Sequence, residues 1–202
     1  MYPKLKTYIT ELVSDFDSIP SERKEQLREV VDYIRSKKES GETAKLNFIC
    51  THNSRRSHLA QIWAQTAALY YGIKNIDTYS GGTEATALNP RAVAAVERAG
   101  FQVQNPGGEN PKYKISFSKD AEPLTCFSKK FDDPSNPDKD FAAIMTCSDA
   151  DENCPFVPGA EIRKPITYVD PKEADGTDSE AKVYDERCSQ IATEMFYMMS
   201  KV

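Results

Sequence analysis

The chain lacks any apolar stretch approaching membrane-spanning length, so no membrane-embedded segment is expected. Its opening residues, Met1-Tyr-Pro-Lys-Leu-Lys, carry no signal-peptide core, and the protein therefore reads as cytoplasmic. It also lacks a positive excess: 26 Lys and Arg against 31 Asp and Glu leave a formal charge of -5, without the basic footprint that nucleic-acid binding requires. No internal repeat or low-complexity tract is present. Histidine is scarce, with only His52 and His58, and both fall beside one short loop. Cysteine is better represented, at five residues. In a reducing compartment these are read as catalytic, redox or metal-binding groups and not as a disulfide framework. With 39% hydrophobic residues, the 202-residue chain can form one well-cored domain with additions.

The most informative segment runs Cys50-Thr-His-Asn-Ser-Arg-Arg-Ser57. Lys45 to Ile49 before it is a short apolar run suited to a buried strand, and Leu59, Ile62, Trp63 and Leu69 after it have the spacing of a helix face. A loop that ends in a helix N-terminus aims free backbone N–H groups at one point and adds the positive end of the helix dipole, so it binds oxyanions. The same field favours a sulfur anion, the nucleophilic form of cysteine. Thr51, His52, Asn53, Ser54, Arg55 and Arg56 are the candidate oxyanion-binding residues. The planar fork of Arg56 can grip two oxygens of a tetrahedral anion, and Ser57 can donate its hydroxyl to the Cys50 sulfur. Taken alone, Cys50 reads equally as a buried core cysteine and Arg56 as a solvated arginine. That reading loses ground once strand, polar loop, Arg, Ser and helix are required in order.

Around this loop the sequence predicts an α/β architecture. Residues 1–44 form an N-terminal helical extension, with Leu5, Ile9, Leu12 and Phe16 on one helical face and Leu27, Val30, Val31 and Ile34 on another after Pro20. Residues 45–202 form the catalytic domain. Ile76 to Ser80 is a strand candidate, Asn89-Pro90 a cap and first-turn pair for a helix running to Gly100, and Phe141 to Thr146 an apolar run suited to a central parallel strand. Alternation of this kind implies a sheet with helices on both faces, whose ligands bind at the carboxyl ends of the strands. Cys50 and Cys147 both follow a strand directly and can meet at that edge. Residues at about 104–140 interrupt the rhythm. Tyr113 to Phe117 and Leu124 to Phe131 read there as a β-hairpin insertion. Cys126 and Cys188 read as packing residues.

Two further features carry chemistry. Cys147-Ser-Asp-Ala-Asp-Glu-Asn-Cys154 places two cysteines in a polar segment that reads as a bendable loop, able to bring two thiols together. Zinc is the competing use, but its structural sites have tighter spacing and further ligands nearby, and recruiting His52 or His58 would spoil the anion loop. No metal or other cofactor is expected. Asp170-Pro171 is the second feature: the proline stiffens an extended aspartate that can act as a general acid.

Together these residues resemble the low-molecular-weight protein tyrosine phosphatase superfamily, and within it the thioredoxin-coupled arsenate reductases. The resemblance rests on Cys50-x5-Arg56-Ser57, the Cys147 to Pro155 segment, Asp170-Pro171, Tyr79-Ser-Gly-Gly and Leu88-Asn-Pro. It implies a three-layer fold with a four-stranded parallel sheet. It also implies that Cys50 attacks arsenate in the Arg56 cradle while Asp170 protonates the departing oxygen. Cys147 then attacks Cys50, arsenite leaves, and Cys154 resolves the disulfide, which thioredoxin reduces.

Two positions depart from the family pattern. His52 replaces a glycine, and either reshapes the loop or tolerates a positive φ. Arg55 replaces a second loop cysteine, and either adds positive potential at the anion or points to solvent. The alternative activity is a tyrosine or small-molecule phosphatase with a phosphocysteine intermediate, which needs only Cys50, Arg56 and Asp170. It is disfavoured by Lys172-Glu-Ala, which stands where such phosphatases carry ring-gripping tyrosines, although Tyr113 or Phe127 of the insertion can substitute for them. A non-catalytic oxyanion-binding or redox-sensing module is the third reading. The partners expected are an arsenate or phosphate oxyanion and thioredoxin.

Overall fold

The computed structural model describes residues 1–202. Two helices, α1 (Pro3–Ser14) and α2 (Ser21–Glu39), lead into β1 (Ala44–Cys50). Then follow α3 (Arg56–Tyr70), β2 (Ile76–Gly82), α4 (Pro90–Ala99), β3 (Gln102–Gln104), β4 (Tyr113–Ser116) and β5 (Leu124–Cys126). The chain continues through β6 (Phe141–Met145), α5 (Ser148–Asn153) and β7 (Ala160–Pro165) to the long C-terminal α6 (Glu180–Ser200).

Strands β2, β1, β6 and β7 form, in that order, a four-stranded parallel sheet. Of its two central strands, β6 is apolar throughout and β1 is broken only by Lys45 and Asn47, because both faces are covered. Leu46 and Phe48 of β1, with Ala142 and Ile144 of β6, face a large core shared with α1, α2, α3, α4 and α6. Ile49, Phe141, Ala143 and Met145 face the opposite side, where Ala150 of α5, Val157 and Phe131 cover them. Helices thus lie on both faces. The N-terminal helices belong to the main core: Leu5, Ile9, Leu27 and Val30 are fully buried, each contributing about 1.5–3 kcal/mol by removal from water.

Local chemistry explains the boundaries. Asn89 Oδ1 accepts the Arg91 N–H at 2.9 Å and Pro90 opens the first turn of α4. Gly100 ends that helix at φ +112°, where a Cβ would meet the Leu5 backbone at 2.5 Å, so α1 can pack close.

The insertion differs from a simple hairpin. Strand β3 pairs antiparallel with β4, and β4 with β5, giving three strands. The second hairpin strand ends at Cys126, short of Phe131. Beyond it the backbone leaves the small sheet to pair with the neighbourhood of the anion loop, where Gly82 and Lys130 form a bridge. Strand β7 was not read from the sequence because Ala160-Glu-Ile-Arg-Lys-Pro165 is a charged edge strand. Nor is residues 148–153 the expected loop: they form α5, with the Cys147 sulfur accepting the Ala150 N–H at the N-terminus.

Candidate active site

Cys50 ends β1 and the helix α3 begins six residues later, as the parallel crossover requires. The connecting loop is turned with its carbonyls outward. Thr83 N–H donates to Cys50 O, Glu84 N–H to Thr51 O and Asn89 N–H to Ser54 O. His52 O accepts from Ser128 Oγ at 2.9 Å and from Thr86 Oγ1 at 3.2 Å. The N–H groups of Thr51 to Arg55 donate to no protein acceptor, which leaves them for an anion.

Ser57 Oγ lies 3.1 Å from Cys50 Sγ and accepts a hydrogen bond from Asn53 Nδ2 at 2.9 Å. Asn53 is buried, and its Oδ1 accepts the Lys129 N–H of the insertion. Of the two courses considered for His52, a positive φ is not taken: the left-handed loop residue is its neighbour Asn53, at φ +44°. Asparagine tolerates that region because its short polar side chain bonds locally. His52 is half exposed, with Nε2 3.6 Å from Glu84. His58 is buried against Ser80 Oγ, and burial together with nearby Lys129 pushes its pKa down to about 3, so it remains neutral.

Arg56 donates Nη1 to Tyr168 O at 3.0 Å and Nη2 to the Asp170 carboxylate at 2.7 Å. Its Nε is buried without a protein partner. Asp170 caps the following 3-10 turn by accepting the Lys172 N–H at 3.1 Å. The structure therefore joins Cys50 to Ser57 and Arg56 to Asp170, the two pairs meeting through adjacent residues at the start of α3. Arg55 does not point to solvent: its Nε lies 3.9 Å from Asp170, which keeps its charge beside the candidate acid. Its Nε donates to Tyr184 Oη at 2.7 Å and its Nη2 to Asp175 at 3.2 Å, which ties the loop to α6. No sequence signal marked Tyr184 or Asp175 as its partners.

The register of β1 with β6 pairs Ile49 with Met145, so Cys50 and Cys147 leave adjacent strands at the same level. Both sulfurs belong to one buried cluster, and Cys154 packs against it. Thr51 Oγ1 lies 3.4 Å from Cys147 Sγ and donates to Asp149 at 2.6 Å. Asp149, hidden in the acidic run between the two cysteines, was not singled out from the sequence. Cys154 ends α5, and Arg163 of β7 pins that end by donating to Cys154 O and pairing with Asp151 at 2.7 Å. All five cysteines are thiols. Tyr113 is buried, and Phe127 lies between Lys112 and Lys129, 4.8 and 4.7 Å from its ring.

The family model described as low molecular weight phosphotyrosine protein phosphatase matches residues 45–111. The arsenate reductase of Bacillus subtilis is 31% identical over 140 residues, covering 69% of this chain and 83% of that protein. The chain belongs to the low molecular weight phosphotyrosine protein phosphatase family. A second family member, the arsenate reductase of Halalkalibacterium halodurans, is 30% identical over 151 residues, 72% of this chain and 91% of its own. The family fold also recurs in a solved arsenate reductase in its phosphate-binding state, with TM-score 0.52 and 20% identity over 79% of this chain and 99% of that one. A phosphotyrosine phosphatase of Vibrio cholerae superposes with TM-score 0.52 and 14% identity, over 78% and 95%. No helix is long and apolar enough to cross a membrane.

One glycine of this family member makes the loop geometry feasible. A Cβ on Gly82 would lie 2.2 Å from Glu84 O and 2.7 Å from both Asn53 N and Thr51 O. Those are backbone atoms, so they cannot turn aside. Gly82→Ala is expected to weaken inorganic phosphate binding by about tenfold or more, since displacing a preorganised cradle by even an ångström is costly. Calorimetric titration with phosphate checks this; unchanged affinity would mean that the loop tolerates the shift.

Proposed function

We propose that the protein is an arsenate reductase working through a three-cysteine relay. The observation that carries this reading is the place of Cys147: its buried sulfur lies one threonine side chain from the anion loop and shares a cluster with Cys50. Hydrolysis of a phosphate ester has no use for that thiol or for Cys154. The arsenate reductases among the relatives support the same assignment.

In this scheme the free N–H groups of Thr51 to Arg55 and the Arg56 guanidinium hold arsenate. The Cys50 thiolate forms a sulfur–arsenic bond as one oxygen leaves with a proton from Asp170. Cys147 as thiolate then attacks the Cys50 sulfur. The electron pair of the sulfur–arsenic bond passes to arsenic, so arsenic(V) leaves as arsenite and Cys50 and Cys147 are joined. Attack by Cys154 on Cys147 expels the Cys50 thiolate and moves the disulfide to Cys147 and Cys154. A thioredoxin dithiol is the proposed reductant.

The last exchange needs α5 to unwind. With Cys147 and Cys154 at its two ends, seven helical steps separate them by about 10 Å, beyond disulfide reach. Six residues, five of them polar, make a helix far too short to be stable alone, so its opening costs little beyond exposing Ala150.

Two assays on the reduced protein test the proposal: arsenate with a thioredoxin system, and para-nitrophenyl phosphate. Sustained arsenite production supports it, whereas aryl phosphate hydrolysis without arsenite leaves a phosphatase. Binding of phosphate with neither turnover leaves a binding module. Asp170→Asn is expected to slow turnover by about 10²-fold, as loss of a general acid does, while phosphate binding survives because Arg56 is freed of its partner. Full-rate turnover by this variant would assign the proton to another donor.

A further inference from the structure

The N-terminal extension reaches the acid loop through one side chain. Arg23, in the first turn of α2, donates Nη2 to Thr167 O at 2.7 Å, and its guanidinium stands over the Tyr168 ring at 5.4 Å. Its Nε is 3.6 Å from Glu194 of α6, a carboxylate only 4% exposed. Tyr168 Oη donates to the same Glu194 oxygen at 2.7 Å, and Gln190 Nε2 to the other at 3.3 Å. Burial pushes the Glu194 carboxyl above the usual range, and Arg23 opposes that shift. The carbonyl of Tyr168 accepts Arg56 Nη1, and Asp170 lies two residues further on. A continuous polar path therefore runs from α2 through Thr167, Tyr168 and Glu194 to the anion-binding arginine and the acid.

We propose that Arg23 is a positioning residue, through which the N-terminal extension holds residues 166–170 so that Asp170 and Arg56 face the anion loop. This rests on the reading of Asp170 and Arg56 given above. Removing Arg23 leaves the Thr167 carbonyl without its donor and takes from the buried Glu194 one of the two guanidinium charges that act on it, Arg187 being the other, and each loss loosens the same segment. A mere staple between α2 and α6 would lower stability and leave the acid loop and the chemical step alone.

The test compares full-length wild type, Arg23→Met and Arg23→Lys with Arg28→Met, a control on α2 whose exposed pair with Glu25 touches nothing in the site. Hydrogen exchange is followed in peptides spanning residues 165–172, and kcat and KM are measured in whichever of the two assays the wild type supports. In Arg23→Met, exchange at 165–170 should rise while β1 and β6 keep their protection. Its kcat should fall about tenfold with KM changed by less than about twofold, and Arg23→Lys should recover part of kcat. Wild-type exchange at 165–170, or wild-type kcat in an active protein, would overturn the proposal even if the melting temperature fell. Should wild type turn over neither substrate, the functional reading fails while exchange at 165–170 still decides for or against the brace. If Arg23→Met does not fold, Arg23→Gln carries the same readouts.

Discussion

Cys50→Ser is expected to reduce arsenate turnover and any aryl phosphate hydrolysis to the uncatalysed background while leaving the fold intact. The reason is local. Cys50 Sγ is the side chain that the loop surrounds, 3.1 Å from Ser57 Oγ, which Asn53 in turn orients. A serine there keeps the volume and the contact with Ser57, but its hydroxyl does not ionise near neutral pH, so the nucleophile is lost. Phosphate should still bind, because the loop N–H groups and Arg56 remain. The checks are activity in both assays, calorimetric phosphate titration and a circular dichroism melt. Near-normal turnover by Cys50→Ser would remove Cys50 from the chemistry, whatever the fate of the other cysteines.

The second large effect divides the roles of Cys147 and Cys154. Cys154→Ser is expected to permit one arsenite per protein and then stall with Cys50 bonded to Cys147, because no thiolate remains to resolve that bond. Cys147→Ser should fail earlier, retaining arsenic on Cys50 and releasing none. Neither substitution should slow para-nitrophenyl phosphate hydrolysis by more than about threefold, since that reaction asks only for the anion loop and the acid. Single-turnover arsenite release, measured against protein concentration, separates the cases. Multiple turnovers by Cys154→Ser would mean that the reductant attacks the first disulfide directly and that α5 need not open.

The parts legible in the sequence are those whose chemistry is local. Asn89-Pro90 and Gly100 bracket α4 because capping and a left-handed terminus depend on those residues alone. The apolar run of β6 is a central parallel strand because burial on both faces permits nothing else. The Cys50 to Ser57 loop was readable because strand, loop and helix follow one another in sequence. What escaped depends on distant partners. Strand β7 carries Glu161, Arg163 and Lys164 because it forms an edge, and Glu161 pairs with Lys37 of α2, 124 residues away. Helix α5 has no apolar periodicity; the Cys147 sulfur and the burial of Ala150 hold it. Asn53, and not His52, takes the positive φ; its amide is satisfied by nearby Ser57 and by Lys129, which a linear reading does not bring beside it. The partners of Arg55 were hidden for a similar reason, since Tyr184 and Asp175 arrive from the C-terminal region.

Peptide mapping by mass spectrometry of the fully reduced wild-type protein, alkylated after exposure to one equivalent of arsenate without thioredoxin, tests the relay most directly. A disulfide joining Cys147 to Cys154, with Cys50, Cys126 and Cys188 alkylated as free thiols and one arsenite released, is the expected result. Free thiols at both Cys147 and Cys154, alongside sustained hydrolysis of an aryl phosphate, would contradict it.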